Sequence, residues 1–238
     1  MVNYTEAFEK PFTDIKKLLV GILLSIIPAI NWFAVGFEMK CSGVGKIKPS
    51  KKMPDWKNFG DLLLKGFFNF LIALIYMIPA AIILVLSAGA VLLNILIQVP
   101  WGQVSKVSSE EASALINPII QAAIPSLTAA LPFIILAGVL LLLAIYAVPI
   151  AVLSYLENEK FAEAFNLKKV FKKAFTGKYL LAWLAMTLLG FILGSILGFI
   201  PFIGTAAASF IVGVIGFSLF GQIYLETGNA KNLKKAKK

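Results

Sequence analysis

Lys168, Lys169, Lys172 and Lys173 flank Phe171 and offer four ammonium groups within six residues. Such a cluster suits contact with anionic lipid, each Lys adding about 1 kcal/mol near a charged surface. The same lysines would also hold their loop in the cytoplasm, a topological role that needs no ligand. Other chemistry is scarce. The chain has no His and no Arg, and its only Cys is Cys41. The usual acid–base group at neutral pH, bidentate guanidinium recognition, an intrachain disulfide and a thiolate metal cluster are therefore all missing. Ser25, Ser87 and Ser195 have no charged neighbour in sequence to serve as a base. Asp55 and Asp61 lie six apart, which is not a metal-ligand spacing, and no G-x-x-x-x-G-K-S/T phosphate loop occurs. No catalytic, cofactor-binding or metal-binding residue is assigned. The chain is expected not to be an enzyme and to carry no cofactor.

Polar side chains inside apolar stretches are Asn31, Asn69, Asn94, Gln98, Gln121 and Gln222. They are expected to join helices rather than line a permeation path, with Asn94 and Gln98 on one helix face. Glu38, Asp61, Lys65 and Glu226 stand near segment ends, where long side chains reach the interface, so no proton relay is expected. Small residues form the clearest pattern. Gly190, Gly194 and Gly198 recur every four residues, as do Thr205, Ser209 and Gly213. That spacing lets helix backbones approach closely in lipid. It serves either packing within a hairpin or a subunit interface.

The elements that must carry these residues are membrane helices. Apolar residues make up 59 % of the 238 and charged ones 14 %, against roughly 45–50 % and about 25 % in soluble domains. Mean hydropathy is +0.88. This excludes a soluble or disordered chain and leaves no length for a soluble catalytic domain. The net charge of +10 reads as basic loops facing anionic lipid, not as nucleic-acid binding.

Residues 1–17 carry mixed charge and do not resemble a cleaved signal peptide. The run 18–39 is long enough to cross about 30 Å of hydrocarbon, but Pro28 and Asn31 sit at its middle, so it either crosses or folds back. Residues 40–60 hold six Lys, with Gly43, Gly45, Pro49 and Pro54 marking irregular chain. A span is expected over 62–86, with a break near Ser87–Gly89. An outer-surface helix is expected over 109–130, opened by a Ser108–Glu111 capping box and broken by Pro118, Pro125 and Pro132. A span follows over 132–155. Residues 160–176 interleave Phe161, Phe165, Phe171 and Phe175 with lysines, as an interfacial amphipathic helix would. A hairpin of spans is expected over 179–200 and 202–224, turning at IPFIG. A basic tail occupies 229–238.

Lysine-rich loops stay in the cytoplasm. The loops at 40–60 and 156–178 and the tail are therefore expected inside, and the loop at 100–117, with Lys106 alone, outside. IIPAIN at 26–31 resembles FIPFIG at 199–204, which must turn. That similarity and the lysine count favour a re-entrant 18–39, with the N-terminus inside.

The stretch MPDWKNFGDLLLKGFFNFLIALIYMIP at 53–79 carries Pro54, Asp55, Trp56, Phe59, Gly60, Asp61, Gly66, Ile75, Tyr76 and Pro79. It resembles the signature of the uncharacterised domain-of-unknown-function family 4013, found mainly in archaeal membrane proteins. The upstream Pro28, Asn31 and Gly36 and the segment 161–183 are also similar, so the likeness covers most of the chain. Family members often carry Arg in the basic loops where this chain has Lys. The resemblance implies a membrane fold and an archaeal origin, and transfers no catalytic residue. Physically, Pro54, Asp55, Trp56, Phe59, Gly60 and Asp61 read as a membrane-interface motif. Trp56 and Phe59 suit the headgroup zone, Gly60 allows a tight approach, and Asp61 complements a helix N-terminus.

The expected fold is all-α and polytopic, with four spans plus a re-entrant or fifth N-terminal hydrophobic hairpin and an interfacial helix. The expected function is a non-enzymatic integral membrane protein that forms a homo-oligomer or serves as an accessory subunit. The alternative is a transporter or channel for a small neutral or lipidic solute. Membrane lipids and another membrane subunit are the expected partners, without nucleic acid. The expected location is the plasma membrane, multi-pass, with a cytoplasmic C-terminus.

Overall fold

The computed structural model describes residues 2–99 and 109–235, without the side chains of 109–116, 118, 122 and 229–235. Lys106, Ser108, Lys237 and Lys238 lie outside the described residues, as do the side chains of Glu111, Lys231, Lys234 and Lys235, so the capping box and the basic tail's charges are not described. Among the described residues every regular element is helical. In chain order they are α1 (Tyr4–Glu9), a 3-10 turn (Lys10–Thr13), α2 (Ile15–Ser25), α3 (Asn31–Lys40), α4 (Phe59–Gln98), α5 (Ser109–Asn158), a second 3-10 turn (Phe161–Phe165), α6 (Leu167–Ala174), α7 (Gly177–Leu197) and α8 (Ile203–Lys235). Four helices are long and apolar enough to cross a membrane: Phe59–Gln98, Ile119–Asn158, Gly177–Leu197 and Ile203–Gly228. The chain divides into two compact units, Met1–Leu74 with Ile145–Lys238, and Ile75–Ala144.

In the first unit, the short helices start where the sequence supplies caps. Asn3 Oδ1 accepts from Glu6 N at 3.0 Å, Asp14 Oδ1 from Lys17 N at 3.1 Å, and Thr176 Oγ1 from Tyr179 N at 3.4 Å. Each satisfies an amide that the first helical turn leaves free. The apolar run 18–39 folds back instead of continuing. Pro28 interrupts α2, and Ala29 takes φ 66°, a left-handed conformation that costs a non-glycine residue about 1–2 kcal/mol. The second IPxIx segment repeats the device. Phe202 has φ 60°. Ile30 N donates to Pro28 O at 2.8 Å and Asn31 N to Ile27 O at 2.8 Å, while Ile203 N donates to Pro201 O at 2.6 Å and Gly204 N to Ile200 O at 2.9 Å. The short sequence similarity is thus one turn used twice. After the first turn the chain returns to its starting point, since Lys10 Nζ, before α2, donates to Cys41 O, after α3, at 2.8 Å.

α8 packs against α2, α3 and α7. Phe37 stacks on Trp56 with centroids 4.0 Å apart, and Phe210 lies 5.9 Å from Phe37 and 6.3 Å from Trp56. Leu18, Ala34, Cys41, Met53, Leu62 and Val214 surround them. Close helix contacts fall at Gly36, which lies on the carbonyl of Leu62, and at Gly66, which lies on that of Trp32.

Two expected boundaries are absent, and one unexpected boundary is present. α4 continues through Ser87–Gly89, because Ser87 Oγ donates back to Ile83 O at 2.8 Å and Leu84 O at 3.1 Å within the helix. A hydroxyl bonded that way bends a helix at most. α5 likewise joins the expected outer helix 109–130 to the span 132–155 without a break at Pro132. Apolar surroundings favour keeping the other helical hydrogen bonds around a Pro. The single interfacial helix expected over 160–176 is instead a 3-10 turn and α6, split at Asn166. That residue leaves helical geometry at ψ 78°, and its Oδ1 caps Lys169 N at 3.2 Å.

In the second unit, Asn94 and Gln98 share a face, with Gln98 Nε2 donating to Asn94 Oδ1 at 2.7 Å. Asn94 Nδ2 donates to Ser126 Oγ. Asn94 and Ser126, with Ile83, Leu86, Val91 and Phe133, line a largely apolar cleft of about 580 Å³.

Candidate basic face and its charge network

The basic loops of the first unit converge on the ends of its helices. Gly43 and Gly45 adopt φ 65° and 79°, which lets the loop turn back, with Gly45 lying on the carbonyl of Leu156 at the end of α5. Lys17 then clamps the loop, donating to Asp55 Oδ1 at 2.8 Å and Met53 O at 3.2 Å. Lys17 and, after it, Lys57 hold the Asp55 carboxyl below the usual carboxylate range. The Trp56 indole donates to Lys17 O at 3.2 Å.

Trp56 is half-buried and packs against the core by stacking on Phe37. Of its neighbours in that motif, Pro54 is half-buried and Phe59 is exposed, edge-on to Phe33 at 5.9 Å. Gly60 faces open space, so it makes no tight approach; Gly36 and Gly66 do that. Asp61 lies in the first turn of α4 as expected. It also pairs with Lys40 at 2.8 Å and with Lys65.

From Lys65 the network extends to Glu159 at 3.4 Å, which in turn pairs with Lys46. Lys46 first, then Lys65, holds the Glu159 carboxyl below its ordinary value against some desolvation, and Glu159 in turn raises Lys46. Lys65 is only 5 % exposed. The expectation that it merely reaches toward an interface is corrected, for two carboxylates meet it inside the unit. Glu38 is corrected likewise. It is 6 % exposed and its carboxylate lies against Gly213, with no side-chain hydrogen bond or ion pair among the described residues. Lys10 is the third buried charge, donating to Cys41 O at 2.8 Å and Ser218 Oγ at 3.3 Å. Burial lowers its pKa, partly offset by Cys41 and Glu6.

A second branch surrounds α6. Glu157 pairs with Lys169 at 2.8 Å and accepts from the Tyr224 hydroxyl at 2.8 Å. Lys169 also pairs with Glu163 at 2.7 Å. Burial opposes the Lys169 charge, but Glu157 and Glu163 outweigh it and leave the ammonium above its ordinary pKa. Lys173 Nζ sits 3.0 Å from the Tyr224 ring centroid, a cation–π geometry. Lys168 and Lys172 are exposed and make no ion pair among the described residues. All four lysines, with Asn166, Thr176, Thr227 and Gly228, line a cavity of about 540 Å³. Sequence reasoning singled out the lysines. It missed Glu157 and Glu163, whose only signal was charge balance in a Lys-rich segment, and Tyr224, which had none.

The small residues do not form one seam. Gly190 touches Val212 Cγ1 at 3.9 Å, and Gly194 has nothing within 4 Å. Gly198 N donates to Gly194 O at 2.8 Å. Thr205 and Ser209 are exposed, while Gly213 packs on Glu38 of α3 rather than on α7.

A family model described as a protein of unknown function, DUF4013, matches residues 19–202. No curated protein and no solved structure matches the chain.

Proposed function

The chain belongs to the protein family of unknown function DUF4013, and from that premise we propose that it is a non-enzymatic integral membrane protein that assembles with copies of itself or with another membrane subunit. The observation that carries this reading is the length of α4. Its 40 residues at 1.5 Å each make a helix of about 60 Å, twice the roughly 30 Å hydrocarbon core. Holding all of it in lipid would require a tilt of about 60°, outside the 0–40° range of membrane helices. Its most apolar window nevertheless has mean hydropathy 2.7. Phe70, Leu74, Val85, Leu93 and Ile97 are exposed along it. Lipid covers part of that surface, and another protein surface is the natural cover for the rest. The open sides of Gly190 and Gly194 support the same reading.

The convergence of the lysine-rich loops supports a plasma-membrane location with the C-terminus in the cytoplasm. Lipids and a membrane subunit are the partners this surface suits, not nucleic acid. Photoreactive side chains placed at Val85 and Leu93 test the assembly in native membranes. The reading expects a protein adduct of fixed mass; adducts with lipid alone at both positions would reject it. A second reading, transport of a small neutral or lipidic solute, is favoured by the apolar cleft of the second unit. Absence of solute flux in proteoliposomes would remove it.

A further inference from the structure

We propose that the cavity between α6 and Thr227–Gly228 of α8 is a binding site for a phosphate group, carried by a lipid headgroup or by a small soluble ester. Asn166, Lys168, Lys169, Lys172, Lys173, Thr176 and Thr227 line it. The site goes beyond the assembly reading and does not depend on it.

The charges are arranged for an anion. Asn166 starts α6 by accepting from Lys169 N, which sets the helix so that its four lysines border the cavity. Val170 and Ala174 are buried on the other side. Glu157 and Glu163 are both engaged with Lys169. Lys168 and Lys172, one helical turn apart, are left without a carboxylate among the described residues. Like charges at that spacing repel, and a bound anion removes the repulsion. The Thr176 and Thr227 hydroxyls already donate to Lys173 O at 3.1 Å and Tyr224 O at 2.8 Å. Donors to a ligand therefore come from ammonium groups and the Asn166 amide.

Lys binds phosphate as a point charge, without the planar fork of Arg. The site is thus expected to recognise charge more than one ester geometry. About 540 Å³ holds more than the phosphate itself and leaves room for a short polyol. Leu167 and Phe175, at the two ends of α6, are 52 % and 63 % exposed. They would lie beside acyl chains if the source were a lipid.

The test uses the full chain in neutral detergent, and its readout is the thermal midpoint. One arm titrates inorganic phosphate against chloride at equal ionic strength. The other adds phosphatidylglycerol against phosphatidylcholine. A saturable rise with phosphatidylglycerol alone assigns the site to a headgroup, and a rise with both assigns it to soluble phosphate as well. The double variant Lys168→Gln/Lys172→Gln removes two exposed, mutually repelling charges and should melt no lower than the parent without ligand. Two lost lysine contacts should weaken binding roughly thirtyfold. Lys48→Gln/Lys51→Gln, equal in charge but on the other loop, should bind as the parent does. No saturable response to either probe, or an unchanged response in the Lys168/Lys172 variant, overturns the proposal.

Discussion

Glu38 lies in the space left by the missing side chain of Gly213. A methyl there would collide with the carboxyl, and overpacking of this kind costs about 1–3 kcal/mol. Gly213→Ala should therefore lower the thermal midpoint. Combining it with Glu38→Ala should recover much of that loss, a coupling that a double-mutant cycle reads directly. Independent, additive losses would show that the two residues do not oppose each other. The loop carboxylates carry a pH prediction. The native pKa values of Asp55 and Glu159 are depressed. Their stabilisation is thus present above the unfolded carboxylate value, near 4, and is lost as pH falls through the native values. The thermal midpoint, followed from about pH 6 to about pH 3, should drop over that acidic window. Lys46→Gln should make the drop shallower by removing the main partner of Glu159; an unchanged profile would dismiss the clamp. None of these pairings was legible in sequence. Glu38 and Lys65 do stand near helix ends. Their burial comes from α8 and from Glu159, residues 94 or more positions away in the case of Lys65 and its partner.

Elements were legible where a local rule operated. The turns at Pro28 and Pro201 share a sequence and a geometry. Ala29 holds a left-handed backbone. Ala29→Val should lower stability, because a branched side chain is strongly disfavoured there, whereas Ala29→Gly should be tolerated. Equal stability of the two variants would remove the strained turn from the account. The failures came from weak signals. Ser87 and Gly89 suggested a break, but one glycine costs a helix only about 1 kcal/mol, and the Ser87 hydroxyl bonds back within the helix. Of the two roles the glycine spacing left open, close packing within the hairpin finds little at Gly190 and Gly194, and the backbone contacts inside the unit fall at Gly36 and Gly66, where α3 meets α4. Gly36→Ala and Gly66→Ala should each lose about 1–3 kcal/mol, while Gly60→Ala and Gly89→Ala, facing open space, should cost nothing measurable. Thermal melts of the four variants decide this. Similar losses in all four would contradict the assigned helix contact.

At the scale of the whole molecule, composition made the membrane class plain, and four helices long and apolar enough to cross a membrane agree with it. Composition could not say how much of each apolar run lies in lipid. That depends on helix continuity, which the sequence reading underestimated at Leu86 and again at Pro132. Under the assembly proposal, a continuous α4 of 40 residues is too long for lipid alone, and a protein surface covers the rest. A subunit bound there should remain attached when the surrounding lipid is exchanged for a mild detergent. Native mass spectrometry of the full chain, gently extracted from its own membranes, measures this most directly. The account predicts a particle of fixed stoichiometry, either several copies of the chain or the chain with a second polypeptide. A particle containing a single copy and lipid alone, at every protein concentration, would contradict it.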